Sequence, residues 1–171
     1  MRAGTWPQLL VHSERFVGVH RELPPLERLV LRSVHLSPYG SGVTLRVEFP
    51  QFPDLAPPDW TEAGCDRFEA QLEFMAVEGL RMRGVPDRTV IDVAVRPLPW
   101  TQVRRVEVAV SGPEFGLEFA AHAVRAGRLN AYRSGDGDPY TARRWFDSPL
   151  DRRRHGGQLP PTTAKVFYER A

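Results

Sequence analysis

A mainly β fold, with only enough helix to touch the margin of the α+β class, is predicted by three observations. First, residues 66–85 alternate: Phe68, Ala70, Leu72 and Phe74 interleave with Arg67, Glu69, Gln71 and Glu73, and after a short bend Leu80 and Met82 interleave with Arg81 and Arg83. A period of two sends the first set to one face of a sheet and the second to water, and the bend makes the stretch a hairpin. Second, the same period returns in 43–49, 91–95, 106–110 and 115–121. Third, Pro, Gly and Ser clusters punctuate the chain too closely for βαβ units. The expected architecture is an antiparallel twisted sheet or a two-sheet sandwich. It carries one short N-terminal helix and an irregular C-terminal extension, with a β-rich domain over 1–132 and the extension over 133–171.

Taken in order, Ser13 is placed to cap a short helix beginning at Glu14, with Phe16, Val17 and His20 on one side. Gly18 and the Pro24-Pro25 pair keep that helix brief. Residues 26–36 read as the first strand, with Leu29 and Leu31 on one face and Val30, Val34 and Leu36 on the other. The turn at 37–42 leads to Val43, Leu45, Val47 and Phe49, a half-buried strand that pairs back on the first. Residues 50–65 hold four prolines along with Phe52 and Trp60, and read as a long loop of the kind that often carries function. Ile91, Val93 and Val95 define the next strand, and Pro97-Leu98-Pro99-Trp100 breaks the sheet. Val106, Val108 and Val110, then Phe115, Leu117, Phe119 and Ala121, give two more strands. Residues 120–126 suit helix or strand equally, and 129–132 close the apolar pattern.

The totals narrow the class. At 171 residues the chain is long enough to bury a core without a covalent staple. Its single cysteine, Cys65, makes no internal disulfide framework and no multi-cysteine metal cluster. No apolar run approaches the roughly 20 residues a membrane span needs, and the N-terminus has no secretory pattern. The expected location is the cytoplasm. Charge is divided: residues 1–124 carry 13 Arg against 16 acids, a balance of −3, while 125–171 carry 9 Arg and 1 Lys against 5 acids, a balance of +5. The basic character therefore belongs to the extension.

Tests for chemistry return little. The five histidines show neither i, i+4 nor His-x-His spacing, so no metal site is expected. There is no Gly-x-Ser-x-Gly, and Cys65 has no histidine near it in sequence, so a structural thiol is expected. Gly40-Ser41-Gly42 joins two strands, which is the wrong context for a phosphate cradle. Asp136-Gly137-Asp138 lacks the remaining ligands of a calcium loop. Glu69 and Glu73 on the outer face of the hairpin suit cross-strand ion pairing, not acid–base catalysis. Neither catalytic residues nor cofactor ligands are assigned. Arg143-Arg144-Trp145-Phe146 and Arg152-Arg153-Arg154 could grip nucleic acid, but Asp147 and Asp151 dilute the charge and no RNP-type motif accompanies them.

Several pieces together resemble a known family. The Trp6 segment leads to GVHRELPPLERLVLRSVHL, followed by GVTLRVEFPQFP, PPDW, EAQLEFMAVEGLRMRGV, VIDVAV and the late GPEFGLEFAAHAV and LNAY. In order and spacing, from residue 5 to about 132, they resemble the bacterial immunity protein 50 family of polymorphic toxin systems. The resemblance implies a non-enzymatic protein that binds and neutralises a cognate toxin. On that reading Phe52, Trp60 and Trp100 are aromatic contact candidates on loops, and Arg81 and Arg83 are contact candidates on the hairpin's outer face. For each tryptophan the competing expectation is a ring folded back as a lid on the core. Two other readings stay open: a ligand-binding or scaffold domain without a toxin partner, and a nucleic-acid-associated protein acting through the extension. An unpaired edge strand would also allow two copies to dimerise by sheet extension.

Overall fold

The computed structural model describes residues 5–37 and 40–160. Four short helices, α1 (Trp6–Leu9), α2 (Glu14–Gly18), α3 (Pro58–Glu62) and α4 (Pro149–His155), accompany nine strands. The strands are β1 (Leu29–Leu36), β2 (Val43–Phe49), β3 (Arg67–Met75), β4 (Glu78–Arg83), β5 (Val90–Leu98), β6 (Arg105–Ser111), β7 (Gly116–Ala121), β8 (Ala123–Tyr132) and β9 (Trp145–Phe146). They form one open antiparallel sheet in the order β4-β7-β6-β5-β1-β2-β3-β8-β9.

That sheet is bent onto itself. In a flat sheet β3 and β7 would stand five strand spacings apart, about 24 Å. Instead the rings of Phe74 on β3 and Phe119 on β7 meet edge to face at 5.1 Å. The sheet has a weak seam, where β1 and β5 pair only through Leu29↔Ile91 and Val30↔Val90. Leu29, Leu45, Phe68 and Leu72 from one half pack with Val106, Val108 and Leu117 from the other in a single buried core.

Opposite the seam, two long strands run through both halves. Met75 pairs with Ala123 and Glu78 with Ala120, in unchanged register. His122 N–H donates to the Met75 carbonyl at 2.9 Å between them. β3–β4 and β8–β7 therefore form one continuous ribbon, kinked at Ala76, which adopts a left-handed φ of +52°. This corrects the expected hairpin over 66–85: the bend redirects the strand without reversing it, and β4 pairs with β7 instead of β3. Gly84 (φ +77°) then turns the chain off β4 so close to its neighbour that a Cβ would sit 1.9 Å from the Glu114 carbonyl oxygen.

β1 and β2 form the expected antiparallel pair, but the parity expected along β1 fails. Leu31 pairs with Val47 and Ser33 with Arg46, so Arg32 is an extra residue in β1. A bulge shifts the face of everything after it. Val34 therefore joins Leu29 and Leu31 on the core side, opposite Leu45. A second bulge, in β8 between Gly127 and Asn130, contains Arg128 at φ +49°.

Other expectations change as well. Pro97 and Leu98 lie inside β5, paired with Val106 and Arg105. Proline is tolerated there because β1 pairs with β5 only near its start, so no ladder partner needs the missing N–H. Residues 120–126 are strand on either side of His122. The loop over 50–65 contains α3. Ser13 precedes α2 without a side-chain cap; its hydroxyl donates to the Val11 carbonyl at 2.8 Å and accepts from Ala126 N–H at 2.9 Å, tying the helix to β8. Over 133–160, the described part of the extension, the chain packs on the sheet: Ala142, Arg144, Phe146 and Asp151 are buried.

Candidate functional site

The outer faces of the two sheet halves differ, and the difference comes from the strand sequences. On β2 and β3 the residues opposite the core set are Arg46, Glu48, Glu69 and Gln71, which would ordinarily be solvated. Here all four are buried, because residues 133–160 fold across them. The Arg32 bulge brings a further cation to the same face. Arg32 Nη2 donates to Glu48 Oε2 at 2.6 Å, and Arg32 Nε lies 3.4 Å from Glu69 Oε1. Arg46 Nε stands 3.9 Å from Glu69 Oε2. The Tyr132 hydroxyl donates to Glu48 Oε2 and accepts from Arg32 Nη2 at 3.2 Å.

Into this network the extension inserts Arg144. Its Nη2 donates to the Pro139 carbonyl and lies 3.4 Å from Glu69 Oε1, while its guanidinium sits 3.9 Å from the centre of the Tyr132 ring. Tyr140 adds a ring within 5.8 Å of the Arg32 and Arg46 guanidiniums. Two buried guanidiniums, Arg46 and Arg144, and the half-buried Arg32 thus share two buried carboxylates. Burial pulls the Arg144 pKa down, with the Glu69 charge opposing that shift. For Arg32, burial is outweighed by the hydrogen bond and charge of Glu48, and the net shift is upward. Burial and the Glu48 bond push the Tyr132 hydroxyl up to about 12. The network ties the extension to the outer face of β2 and β3 through paired charges, which is the behaviour of a structural clamp.

The other half is bare. On the outer face of β4, β5, β6 and β7, Ala109 and Ala120 form a low floor between Arg81, Arg96, Glu107 and Glu118, enclosing a shallow cleft of about 510 Å³. β4 is the free margin of this half, since among the described residues no strand lies beyond it. All six of its residues are exposed. A further cleft of about 560 Å³ lies between α2, β8 and α4, and its charges are largely paired: Arg125 with Glu73 and Arg128 with Asp151.

The five sequence-predicted contact residues separate accordingly. Arg81 and Arg83 lie together on exposed β4. Trp100 is 56% exposed in the loop after β5, beside Val103, Arg105 and His122. Trp60 is fully buried on the Phe68 ring at 6.0 Å, which is the core-lid alternative, and a docking partner does not reach it in this fold. Phe52 is half-buried against Trp60 at 6.3 Å, lining a surface cleft with His20 and Asp54. The structure therefore brings Phe52 and Trp60 together at one place and Arg81 and Arg83 at another. The cross-strand pairing expected of Glu73 is present, with Arg125 Nε at 2.8 Å. Glu69 is also paired, but it is buried instead of facing water.

Sequence reasoning missed Arg32, Arg46 and Glu48, and offered Arg144 for nucleic acid instead of for this network. The available signal was the concentration of Arg with Trp and Tyr after residue 132, on a chain whose preceding body is acidic. Of the tail arginines offered for nucleic acid, Arg144 and Arg152 are engaged internally, Arg152 Nε donating to the Phe146 carbonyl at 2.6 Å. Among the described residues, no group of three His, Cys, Asp or Glu could hold a metal ion, and no helix is long and apolar enough to cross a membrane.

A bent antiparallel sheet, with the outer face of one half sealed by an ion-paired extension and that of the other half left open, defines a small β protein with a free outer surface. The sequence profile of the Immunity protein 50 family matches residues 13–132, and the chain belongs to that family. Immunity proteins of this family are generally non-enzymatic. No curated protein matches the chain.

Proposed function

We propose that this chain is a non-enzymatic immunity protein that neutralises a cognate bacterial toxin domain by stoichiometric binding in the cytoplasm of the producing cell. The observation that carries the reading is the family match over 13–132, which spans both halves of the sheet. Binding falls to the open half, where Arg81, Arg83 and Trp100 are accessible and of the residue types that anchor interfaces. Phe52 offers a smaller contact, with Trp60 as its support from beneath.

The test is co-expression with the toxin encoded beside it. Cells producing both proteins grow, and the purified pair elutes as one complex of fixed ratio. Trp100→Ala weakens that complex by about 2 kcal/mol, the usual size of an interface hot spot. Growth arrest despite equal expression of the immunity chain would defeat the proposal.

A further inference from the structure

We infer that β4 is a strand-addition site for an extended acidic segment of the partner. The inference rests on the neutralisation reading for the identity of that partner, and on the sheet itself for the chemistry. The two margins of the sheet are unequal. At one, β9 is two residues long and α4 packs beside it. At the other, β4 runs for six residues with its outer backbone edge uncovered among the described residues. An unpaired strand edge is a row of directed donors and acceptors, and extended segments dock on such rows.

The side chains of β4 specify which segment fits. Arg81 stands opposite Glu118, on the outer face of the sheet; Arg83 shares that face, with its guanidinium over Gly116. Met82 stands opposite buried Leu117 on the core side, yet is 53% exposed because the core ends there. Leu80 shares that side and is also exposed. A strand laid along β4 would extend the core if its inner residues were apolar, and would meet two guanidiniums if its outer residues were acidic. The matching sequence alternates apolar and acidic residues.

The same charges disfavour a second copy of this chain. Antiparallel pairing of two β4 strands about Arg81 sets Arg81 against Arg81, and pairing about Met82 sets Arg81 against Arg83. Like charges directly opposite are destabilising. Pairing about Leu80 runs into Gly79 (φ +64°), where the register with β7 already slips. In these registers the arginines oppose self-association while admitting an acidic strand, and Glu78, the acid on the same face of β4, is paired with Arg105 at 2.6 Å.

The test needs two arms. In the first, amide hydrogen exchange of residues 78–83 is followed in the full chain with a synthetic peptide alternating valine and glutamate, and with one alternating valine and lysine. The glutamate peptide slows exchange in β4 at least tenfold, the lysine peptide does not, and Arg81→Glu with Arg83→Glu reverses the preference. Equal effects of both peptides, no slowing by either, or slowing that depends only on the concentration of the chain itself would overturn the inference. In the second arm, the double variant loses at least tenfold in affinity for the toxin at unchanged melting temperature. If the double variant binds and neutralises as well as the original chain, strand addition fails and neutralisation stands. If the original chain ignores the toxin while the peptide arm succeeds, neutralisation fails and the acidic-strand site stands.

Discussion

The Arg144 guanidinium lies 3.9 Å from the centre of the Tyr132 ring. Tyr132 is the last residue matched by the family, and Arg144 belongs to the segment that follows. The contact is therefore where the extension grips the domain. It is also a place of charge surplus: Arg32 and Arg46 already balance Glu48 and Glu69 before Arg144 arrives. The cost of burying a third cation is offset by the Tyr132 ring, the Pro139 carbonyl and the 3.4 Å approach to Glu69.

This imbalance gives unequal mutational costs. Glu69→Gln leaves Arg32, Arg46 and Arg144 facing one carboxylate and should cost about 3–5 kcal/mol, the range for breaking a buried pair from one side. Arg144→Met removes the surplus cation and keeps the packing volume, so it should cost less than about 2 kcal/mol. Urea denaturation of the two variants checks the order. Equal losses would mean that the network does not distinguish its carboxylates from its extra cation.

Phe74 and Phe119 meet edge to face within the core that the two halves share. Either ring replaced by alanine should cost about 3–5 kcal/mol through the cavity it leaves. In a double-mutant cycle the pair should show coupling of about 0.5–1.5 kcal/mol, the aromatic term beyond burial. Additive losses would show that the rings are neighbours without mutual energy.

His20 is enclosed by Phe16 at 4.9 Å and Phe68 at 5.6 Å, and its Nε2 has no hydrogen-bond partner among the described residues. Burial lowers its pKa from 6.5, and the opposing charge of Asp54 does not cancel that shift. A depressed folded value means that the unfolded chain binds the proton more readily. Stability from this group is full above pH 6.5 and is lost as the pH falls through the folded value. Melting temperatures of the original chain and of His20→Phe, measured from pH 7.5 to 5, should diverge, with the phenylalanine variant losing less on acidification.

Cys65 is buried, and burial pushes its thiol up to about 11 from 9.0. The raised value stabilises the fold below pH 9 and is lost as the pH climbs through 11. At pH 8 the thiol should resist an aromatic disulfide reagent until the chain is unfolded by denaturant. Rapid labelling of the folded protein would contradict its burial.

Much of the sheet was legible because buried strands write a period of two into the sequence. Phe68, Ala70, Leu72 and Phe74 reach the core as read. Legibility ended where a single residue changed the count. Arg32 looks like any surface arginine in a strand, and only its pairing with β2 shows it to be an insertion that carries Val34 across to the core. Ala76 gives no warning either, since a left-handed kink is usually announced by glycine, and alternation on both sides of a short bend reads as a reversal. Leu80 and Met82 have the alternation of core residues, but lie on a margin where the core has ended. Of the contact candidates, Arg81, Arg83 and Trp100 are exposed, whereas Trp60 followed its competing reading into the interior. The clamp was hidden for a different reason: burial of Arg144 depends on Glu69 and Tyr132, 75 and 12 positions earlier, and no local pattern encodes such a meeting.

The ribbon kinked at Ala76 and His122 is common property of both halves, and this shapes how the molecule can come apart. Melting either half would leave the strand ends of the other unsupported at Ala76 and His122, so the two halves should lose structure together. A nick or a long insertion in the exposed loop after β5 should be survivable, whereas one at Ala76 should abolish folding altogether. Loss of structure should then be all-or-none, and tryptophan fluorescence and far-ultraviolet circular dichroism should report one coincident unfolding transition.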